Sequence, residues 1–242
     1  MLRIFIADLH LRAHAQDQSR FRTFLQDFGA GSELYVLGDL FDLWLGDDLD
    51  LPRHQPVIAA LRAYADRGGV ARVMVGNHDF LVGAAFFAQS GARPLPDPTV
   101  LEHAGRRLLL THGDDLCIAD VDYQAFRARI RHPAFVAEFL AQPPERRQAV
   151  AREFQDGSRT ATAGKTAAMM DVDTDAADAA LVDAGADLLL HGHTHRPGMH
   201  RLPAGRRVVL GPWHGGVSAL IWPADGPPQP LNMDCDCADI VD

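Results

Sequence analysis

Residues 2–10 read LRIFIADLH. An apolar run from Leu2 to Ala7 stops abruptly at Asp8, and His10 follows two residues later. Short apolar runs that end in loop-like residues read as buried strands. The same pattern returns five times. Leu34–Leu37 ends at Gly38, Val70–Val75 at Gly76, Arg107–Thr111 at His112, Leu188–Leu190 at His191, and Arg207–Leu210 at Gly211. Helical patterns lie between most of these runs, at Phe21–Phe28, Val57–Arg67 and Ala176–Ala184. Strands alternating with helices predict a layered α/β core. Ligands of such cores collect at strand ends, and here most strand ends carry Asp, Asn or His.

The chain has 242 residues, 47% hydrophobic and 23% charged, enough for one large α/β core or a core with an insertion. A net charge of −9 argues against a nucleic-acid partner, whose phosphates would repel it. Cys117, Cys235 and Cys237 form neither a CxxC pair nor a zinc spacing, which predicts a reducing, cytoplasmic setting. The N-terminus has no signal-peptide pattern, and no stretch approaches the ~20 apolar residues that span a bilayer. Any membrane contact is therefore expected to be peripheral.

Residues 121–168 differ from the rest. The stretch YQAFRARIRHPAFVAEFLAQ, residues 123–142, reads as a helix, a break at Pro133 and a second helix ending near Pro143 and Pro144. Between residues 123 and 168 there are eight Arg or Lys against four acids, inside a chain of net −9. This predicts a basic helical insertion that caps the core. The expected division is a core over 1–120, the cap over 121–168, and the rest of the core over 169–242 with an acidic, frayed tail, MDCDCADIVD.

Five strand ends carry clusters: Asp8-Leu9-His10, Gly38-Asp39, Gly76-Asn77-His78-Asp79, His112-Gly113, and Gly192-His193-Thr194-His195. Glycine permits tight turns and lets the backbone approach a ligand. Oxygen and imidazole ligands without thiolate suit Mn, Fe or Zn. Asp8, His10, Asp39, Asn77, His112, His193 and His195 are too many ligands for one ion. Two ions sharing one carboxylate fit the count, and two metals ~3.5–4 Å apart are a device for hydrolysing phosphate esters.

In order, these clusters match DxH…GDxxD…GNHD…H…GHxH, and on them the chain resembles the calcineurin-like metallophosphoesterases. The resemblance implies a four-layer α/β/β/α core with an inserted helical cap. It implies that Asp8, His10, Asp39 and His195 bind one metal, and that Asp39, Asn77, His112 and His193 bind the other. His191 is then expected to support the ligands rather than bind. Further stretches, GDLFDLWLGDD, GNHDFLVG, THGDDLCIADVDYQAFRARIR, SRTATAGKTAAMMDVD and HGHTHRPGMHRL, are similar to the UDP-2,3-diacylglucosamine pyrophosphatases of lipid A biosynthesis. That similarity spans nearly the whole chain.

The resemblance implies two Mn2+ ions and hydrolysis of the diphosphate of UDP-2,3-diacylglucosamine to UMP and 2,3-diacylglucosamine 1-phosphate (lipid X). It implies substrate contacts from Asn77, His78, Asp120, Ser158, Thr162, Lys165 and His193, and shelter for acyl chains beside Phe126 and Phe139. Basic cap residues are expected to face anionic lipid at the cytoplasmic face of the inner membrane.

One position departs from that family, which has arginine after the asparagine of its GN-x-D motif where this chain has His78. His78 is expected to donate a proton to the leaving oxygen or to stabilise phosphate charge, with Asp79 orienting it. The alternative is a GNHD-type paralogue acting on another phosphodiester or pyrophosphate. A soluble substrate, such as a dinucleoside polyphosphate or cyclic nucleotide, does not explain a basic amphipathic cap. A non-catalytic scaffold does not explain why every ligand position is filled.

Other features weigh less. AGKT at 163–166 is no phosphate loop, because the motif needs glycine where Arg159 stands. Lys165 is the only lysine in the chain, and the resemblance implies that it contacts substrate. Phe126, Ile130, Phe135, Phe139 and Leu140 have the spacing of helix packing. Asp42 either orients a ligand or begins a helix. Asp114 is expected behind the ligands, and His14, His54, His103, His132 and His200 at the surface.

Overall fold

In the computed structural model, which describes residues 1–162, 164–166 and 168–233, the first strand is β1 (Leu2–Ile6). Its side chains alternate between two apolar clusters, as a strand buried on both faces requires. Ile4 and Ile6 join one cluster, and Phe5 and the following Ala7 join the other. After it come α1 (Ala15–Gln26), β2 (Ser32–Leu37), a single turn α2 (Asp47–Asp50), α3 (Gln55–Asp66), β3 (Val70–Met74), α4 (Ala84–Ser90) and β4 (Arg93–Pro94). Then come β5 (Thr99–His103), β6 (Arg106–Leu110), α5 (Val121–Ile130), α6 (Pro133–Leu140), α7 (Pro144–Thr162) and α8 (Thr174–Ala184). The chain closes with β7 (Leu188–His191), β8 (Gly198–Arg201), β9 (Arg206–Val209), β10 (Ala219–Pro223) and β11 (Gln229–Leu231).

The strands form a six-stranded sheet in the order β11-β10-β1-β2-β3-β4 and a five-stranded sheet in the order β5-β6-β7-β9-β8. β1 to β4 run parallel, as do β6, β7 and β9. The sheets face each other across Phe5, Tyr35, Leu37, Met74, Leu108, Leu110, Leu188, Leu190, Val208 and Trp222. Outside the larger sheet, α1 and α3 bury Phe21, Leu25, Val57, Ile58, Leu61 and Tyr64 against Ile4, Ile6, Leu34 and Val36. Outside the smaller sheet, α8 buries Ala177 and Leu181 against Leu109 and Leu189. The result is the expected four-layer α/β/β/α core. Each fully buried leucine or isoleucine contributes about 1.5–3 kcal/mol, which is why both sheets hold their register.

The helix ends follow local chemistry. Asp173 caps α8 by accepting from the Ala176 amide at 2.9 Å, and Gly185, at φ 57°, ends it. Asp120 caps α5 in the same way, accepting from the Tyr123 amide at 3.1 Å. β6 and β7 are paired neighbours in the sheet, yet between them the described residues hold four helices and no strand.

All six strands read from the sequence are present, with ends shifted by a residue or so. β4, β5, β8, β10 and β11 were not among them. β4, β8 and β11 are two to four residues long and β5 is half polar, whereas β10 is an apolar run of five, ALIWP, that the reading passed over. Two histidines read as surface residues are buried. His54 lies against the rings of Trp44 and Phe41, with ring centroids 5.6 and 4.5 Å away. His103 places Nε2 3.0 Å from the Trp222 carbonyl. In each case a neighbouring aromatic covers the imidazole, which no local pattern announces. His132 caps α6, its Nδ1 accepting from the Ala134 amide at 3.2 Å. The acidic tail from residue 234 on, with Cys235 and Cys237, lies outside the described residues, as do the side chains of Ser158 and Thr162.

Candidate metal centre

The parallel strands β1, β2, β3, β6 and β7 end on one side of the molecule, and the loops that follow carry the polar clusters. Asp8 and His10 follow β1, Asp39 follows β2, Asn77 to Asp79 follow β3, His112 follows β6, and His193 and His195 follow β7. Their backbone is unusual. Asp8, His10, Asp39, His193 and His195 all have positive φ, between 46° and 65°. Left-handed backbone costs a non-glycine residue roughly 1–2 kcal/mol. Among the other described non-glycine residues only Ala104 and Asn232 share this feature. Strain concentrated on five side chains of one cluster is what a functional site stores.

The side chains converge in two groups. Asp39 Oδ2 lies 3.8 Å from His10 Nε2 and 3.7 Å from His112 Nε2, so one carboxylate oxygen stands between two imidazoles. On one side, His10 Nε2 meets His195 Nε2 at 3.0 Å, and His195 Nε2 lies 3.5 Å from Asp8 Oδ1. On the other, Asn77 Oδ1 lies 2.9 Å from His112 Nε2 and 2.8 Å from His193 Nδ1. The seven residues predicted from the strand ends therefore meet in one place, with Asp39 common to both groups.

Backbone amides fix the carboxylates. The His193 amide donates to Asp8 Oδ1 and Oδ2 at 3.0 and 2.9 Å, and the His78 amide donates to Asp39 Oδ1 at 2.9 Å. Glycine is required where the loops press on them. A Cβ at Gly76 would run into the Asp39 carboxylate, and one at Gly192 into that of Asp8. Among the described residues neither carboxylate pairs with Arg or Lys; their ion-pair partners there are His10, His112 and His195.

That charge balance describes what the site accepts. At Asp8, burial is outweighed by the His195 hydrogen bond and the charges of His112, His195 and His10, and the carboxyl is held below its ordinary range. At Asp39 burial prevails over His112 and His78, and the carboxyl is pushed up. Burial, with His78 adding to it, depresses His10 to about 3. Burial and then His112 depress His193 to about 3. His112 goes the other way: the carboxylates of Asp39, Asp114 and Asp8 overcome burial and raise it to about 9. The raised His112 balances the two buried carboxylates while no metal is bound, whereas His10 and His193 are held neutral, the form that binds metal. Oxygen and nitrogen donors of this kind fit divalent first-row metals.

A family model described as calcineurin-like phosphoesterase matches residues 1–197. The chain belongs to that family. That membership implies divalent metal ions, and the converging Asp and His side chains are candidate ligand groups for them. The chain is 44% identical to a UDP-2,3-diacylglucosamine hydrolase of Marinobacter nauticus, covering 90% of this chain and 91% of the relative. It is 44% identical to one of Xanthomonas axonopodis pv. citri, covering 93% and 97%. It is 42% identical to one of Escherichia coli, covering 93% and 96%.

Around the phosphoesterase pocket, the remaining predicted residues take definite places. His78 sets Nδ1 2.8 Å from the Asp42 carbonyl, and its ring packs edge-on against His10 with centroids 4.7 Å apart. No hydrogen bond or ion pair joins the Asp79 carboxylate to the His78 ring. Its carboxylate accepts from the amides of Gly76 at 2.7 Å and Phe41 at 3.2 Å, tying the β2 and β3 loops together. Burial, and then the Asp39 charge, push Asp79 up to about 6. Asp42 begins no helix; it accepts from Arg12 Nε at 3.0 Å and lies 3.9 Å from His10 Nδ1. His191 is fully buried, its Nδ1 2.8 Å from the Gly192 carbonyl.

Asp114 links the site to α5. Its Oδ2 accepts from Tyr123 Oη at 2.9 Å, Arg127 Nε at 2.8 Å and Arg131 Nη2 at 3.2 Å, and Tyr123 stacks on His193. Lys165 Nζ donates to both oxygens of Asp120, at 2.6 and 2.7 Å. Phe126 is half-buried beside Phe154, whereas Phe139 is buried below Phe135. The sequence reading missed His214. Its ring lies 5.5 Å from that of His10 and 5.7 Å from that of His195. The available signal was the sixth strand end: Gly211 closes that run, and His214 follows three residues later.

Proposed function

We propose that this phosphoesterase hydrolyses the diphosphate of UDP-2,3-diacylglucosamine, releasing UMP and 2,3-diacylglucosamine 1-phosphate. The observation that carries the chemistry is Asp39 Oδ2 placed between His10 Nε2 and His112 Nε2, with a second carboxylate, Asp8, alongside. The substrate assignment rests on the named relatives, whose similarity covers at least 90% of this chain.

Asp8, His10, Asp39 and His195 hold one ion, and Asp39, Asn77, His112 and His193 hold the second. Two Mn2+ ions are the occupants this reading assigns. When bound, such a pair lowers the pKa of water and neutralises charge on phosphoryl oxygens. His78 donates Nδ1–H to the Asp42 carbonyl, and its role toward the phosphate of the leaving group requires a second N–H, at Nε2, to donate to the phosphoryl oxygens. Asp79 holds the turn that carries Asn77 and His78. Asp120, Ser158, Thr162 and Lys165 position the diphosphate and glucosamine, and residues 121–168 act as the cap. Phe126 receives an acyl chain first, because Phe139 lies deeper.

The lipid-linked nucleotide sugar reaches this site from the cytoplasmic face of the inner membrane, where the protein docks peripherally. Ile118, Val121, Leu140 and Met169 are exposed apolar side chains that support such contact, and the basic residues of the cap favour anionic lipid. No helix among the described residues is long and apolar enough to cross a membrane.

The test is an assay with UDP-2,3-diacylglucosamine beside bis(p-nitrophenyl) phosphate, with and without added Mn2+. Manganese-dependent release of UMP is expected. Turnover of the generic diester alone would leave a phosphoesterase of another substrate, with His78 as the first residue to examine.

A further inference from the structure

The three imidazoles His10, His195 and His214 each offer one ring nitrogen within 4.8 Å of the other two. His10 is buried, His195 half-buried and His214 exposed, so the third ring closes the cluster from the solvent side. Imidazole nitrogens bound to one ion at about 2.0–2.1 Å lie at most about 4.2 Å apart. Rotation of an exposed side chain covers the remaining few tenths of an ångström.

The position of His214 is built, although its ring is exposed. It follows Trp213 in the loop between β9 and β10. Trp213 is buried and packs edge-on against Phe24 at 5.2 Å. Its indole Nε1 donates to the Ser218 carbonyl at 2.9 Å, and its carbonyl accepts from Arg20 at 2.7 Å. Its amide donates to the carbonyl of Asp8 at 3.2 Å. The residue before His214 is thus bonded to the backbone of a residue in the metal pocket, and any shift of one loop moves the other.

We propose that His214 is an additional ligand to the ion held by His10 and His195, delivered by the β9–β10 loop. This rests on the reading of His10 and His195 as ligands of one ion. It gives that ion a third imidazole beside the carboxylates of Asp8 and Asp39, whereas the ion at His112 and His193 gains nothing. The two metal positions therefore differ in affinity for a reason that lies outside the five strand-end clusters.

The experiment is calorimetric titration of the metal-free full-length chain with Mn2+. The parent is expected to bind two ions. His214→Ala is expected to bind two with one affinity lowered about tenfold or more, the scale on which residues around a metal act, and the other unchanged. His214→Asp, which restores an oxygen donor, is expected to recover most of the loss. The visible spectrum of the Co2+ form should change in His214→Ala at the weakened site alone. Two unaltered affinities in His214→Ala would overturn the proposal. So would equal weakening of both sites with a lower melting temperature, which marks His214 as a support of the loop. A parent that binds no ion pair would instead overturn the dinuclear reading itself.

Discussion

In the strand-end loops, five candidate ligands stand on positive-φ backbone within four residues of a strand. In and just after α5 to α7, three arginines on regular helix or its cap reach the core through ion pairs. Arg127 and Arg131 reach Asp114, and Arg147 reaches Asp48 and the Leu45 carbonyl. The first region holds its groups by backbone strain that packed sheets enforce. The second holds them by charge pairs between side chains distant in sequence. Chemistry built on the sheets should not depend on which substrate is offered, whereas recognition built on the helices should. The two regions are separable by mutation.

The sharpest break comes from Asp39→Ala. Its carboxylate oxygen lies between His10 and His112, and no other side chain belongs to both groups. Turnover is expected to fall by about 10³-fold or more on every substrate, the scale of several kcal/mol of lost charge stabilisation. Metal content measured on the same variant should fall below two ions per chain. Near-normal activity with two ions bound would show that the strand-end loops are not the chemical half of the molecule.

Lys165→Ala tests the other half. Lys165 donates to both carboxylate oxygens of Asp120, the cap of α5. If the pair recognises substrate, kcat/KM on UDP-2,3-diacylglucosamine should drop by about tenfold to a hundredfold. That matches the ~1.5–3 kcal/mol of a hydrogen bond to a charged group. Hydrolysis of bis(p-nitrophenyl) phosphate should be spared. Equal loss on both substrates, with a lowered melting temperature, would merge the two regions into one structural unit.

The same contrast explains what was legible beforehand. Asp8, Asp39, Asn77, His112 and His193 follow their strands so closely that an apolar run and the residue ending it are read together. Those five strands, and the candidate pocket at their ends, could be expected from that pattern. The pairing of Arg147 with Asp48 joins residues 99 apart, and no spacing along the chain announces it. The edge strands β4, β8 and β11 are two to four residues long and largely polar. They form because a neighbour offers free hydrogen-bonding groups, which is a tertiary cause. His214 failed for the same reason: its strand ends in glycine, and the loop is set by Trp213 packing on α1.

Arg147 sharpens the comparison at its seam. The guanidinium is buried, Nη1 donates to the Leu45 carbonyl at 2.7 Å and to Asp48 Oδ1 at 2.9 Å, and Nη2 pairs with Asp48 Oδ2. Arg147→Met keeps the apolar stem and removes the donors. A loss of about 2–3 kcal/mol is expected in urea unfolding, from hydrogen bonds to a charged group and an orphaned carbonyl. If α7 and the core loop are held together mainly here, the KM for UDP-2,3-diacylglucosamine should rise while kcat on the generic diester stays put. An unchanged unfolding midpoint would mean that apolar packing around Phe139 and Ala151 suffices to seat the helix.

His54 gives the smallest effect and probes the core side alone. The ring is buried against Trp44 and Phe41, and its Nδ1 has no hydrogen-bond partner. Burial, and then the charge of Arg53, depress it from its ordinary 6.5 to about 4. Below pH 6.5 an unfolded chain takes up a proton that the folded chain refuses until about pH 4. The stability from the neutral ring is therefore complete above pH 6.5 and is lost as pH falls towards 4. At pH 5 the loss is on the order of 2 kcal/mol, at 1.36 kcal/mol per pKa unit. His54→Leu removes the titration and keeps the apolar contact. Urea unfolding of both metal-free proteins at pH 7.5 and 5.0 should show the parent losing about 2 kcal/mol more than the variant. Parallel losses would mean that water reaches the ring and that the wall between Trp44 and Phe41 is open.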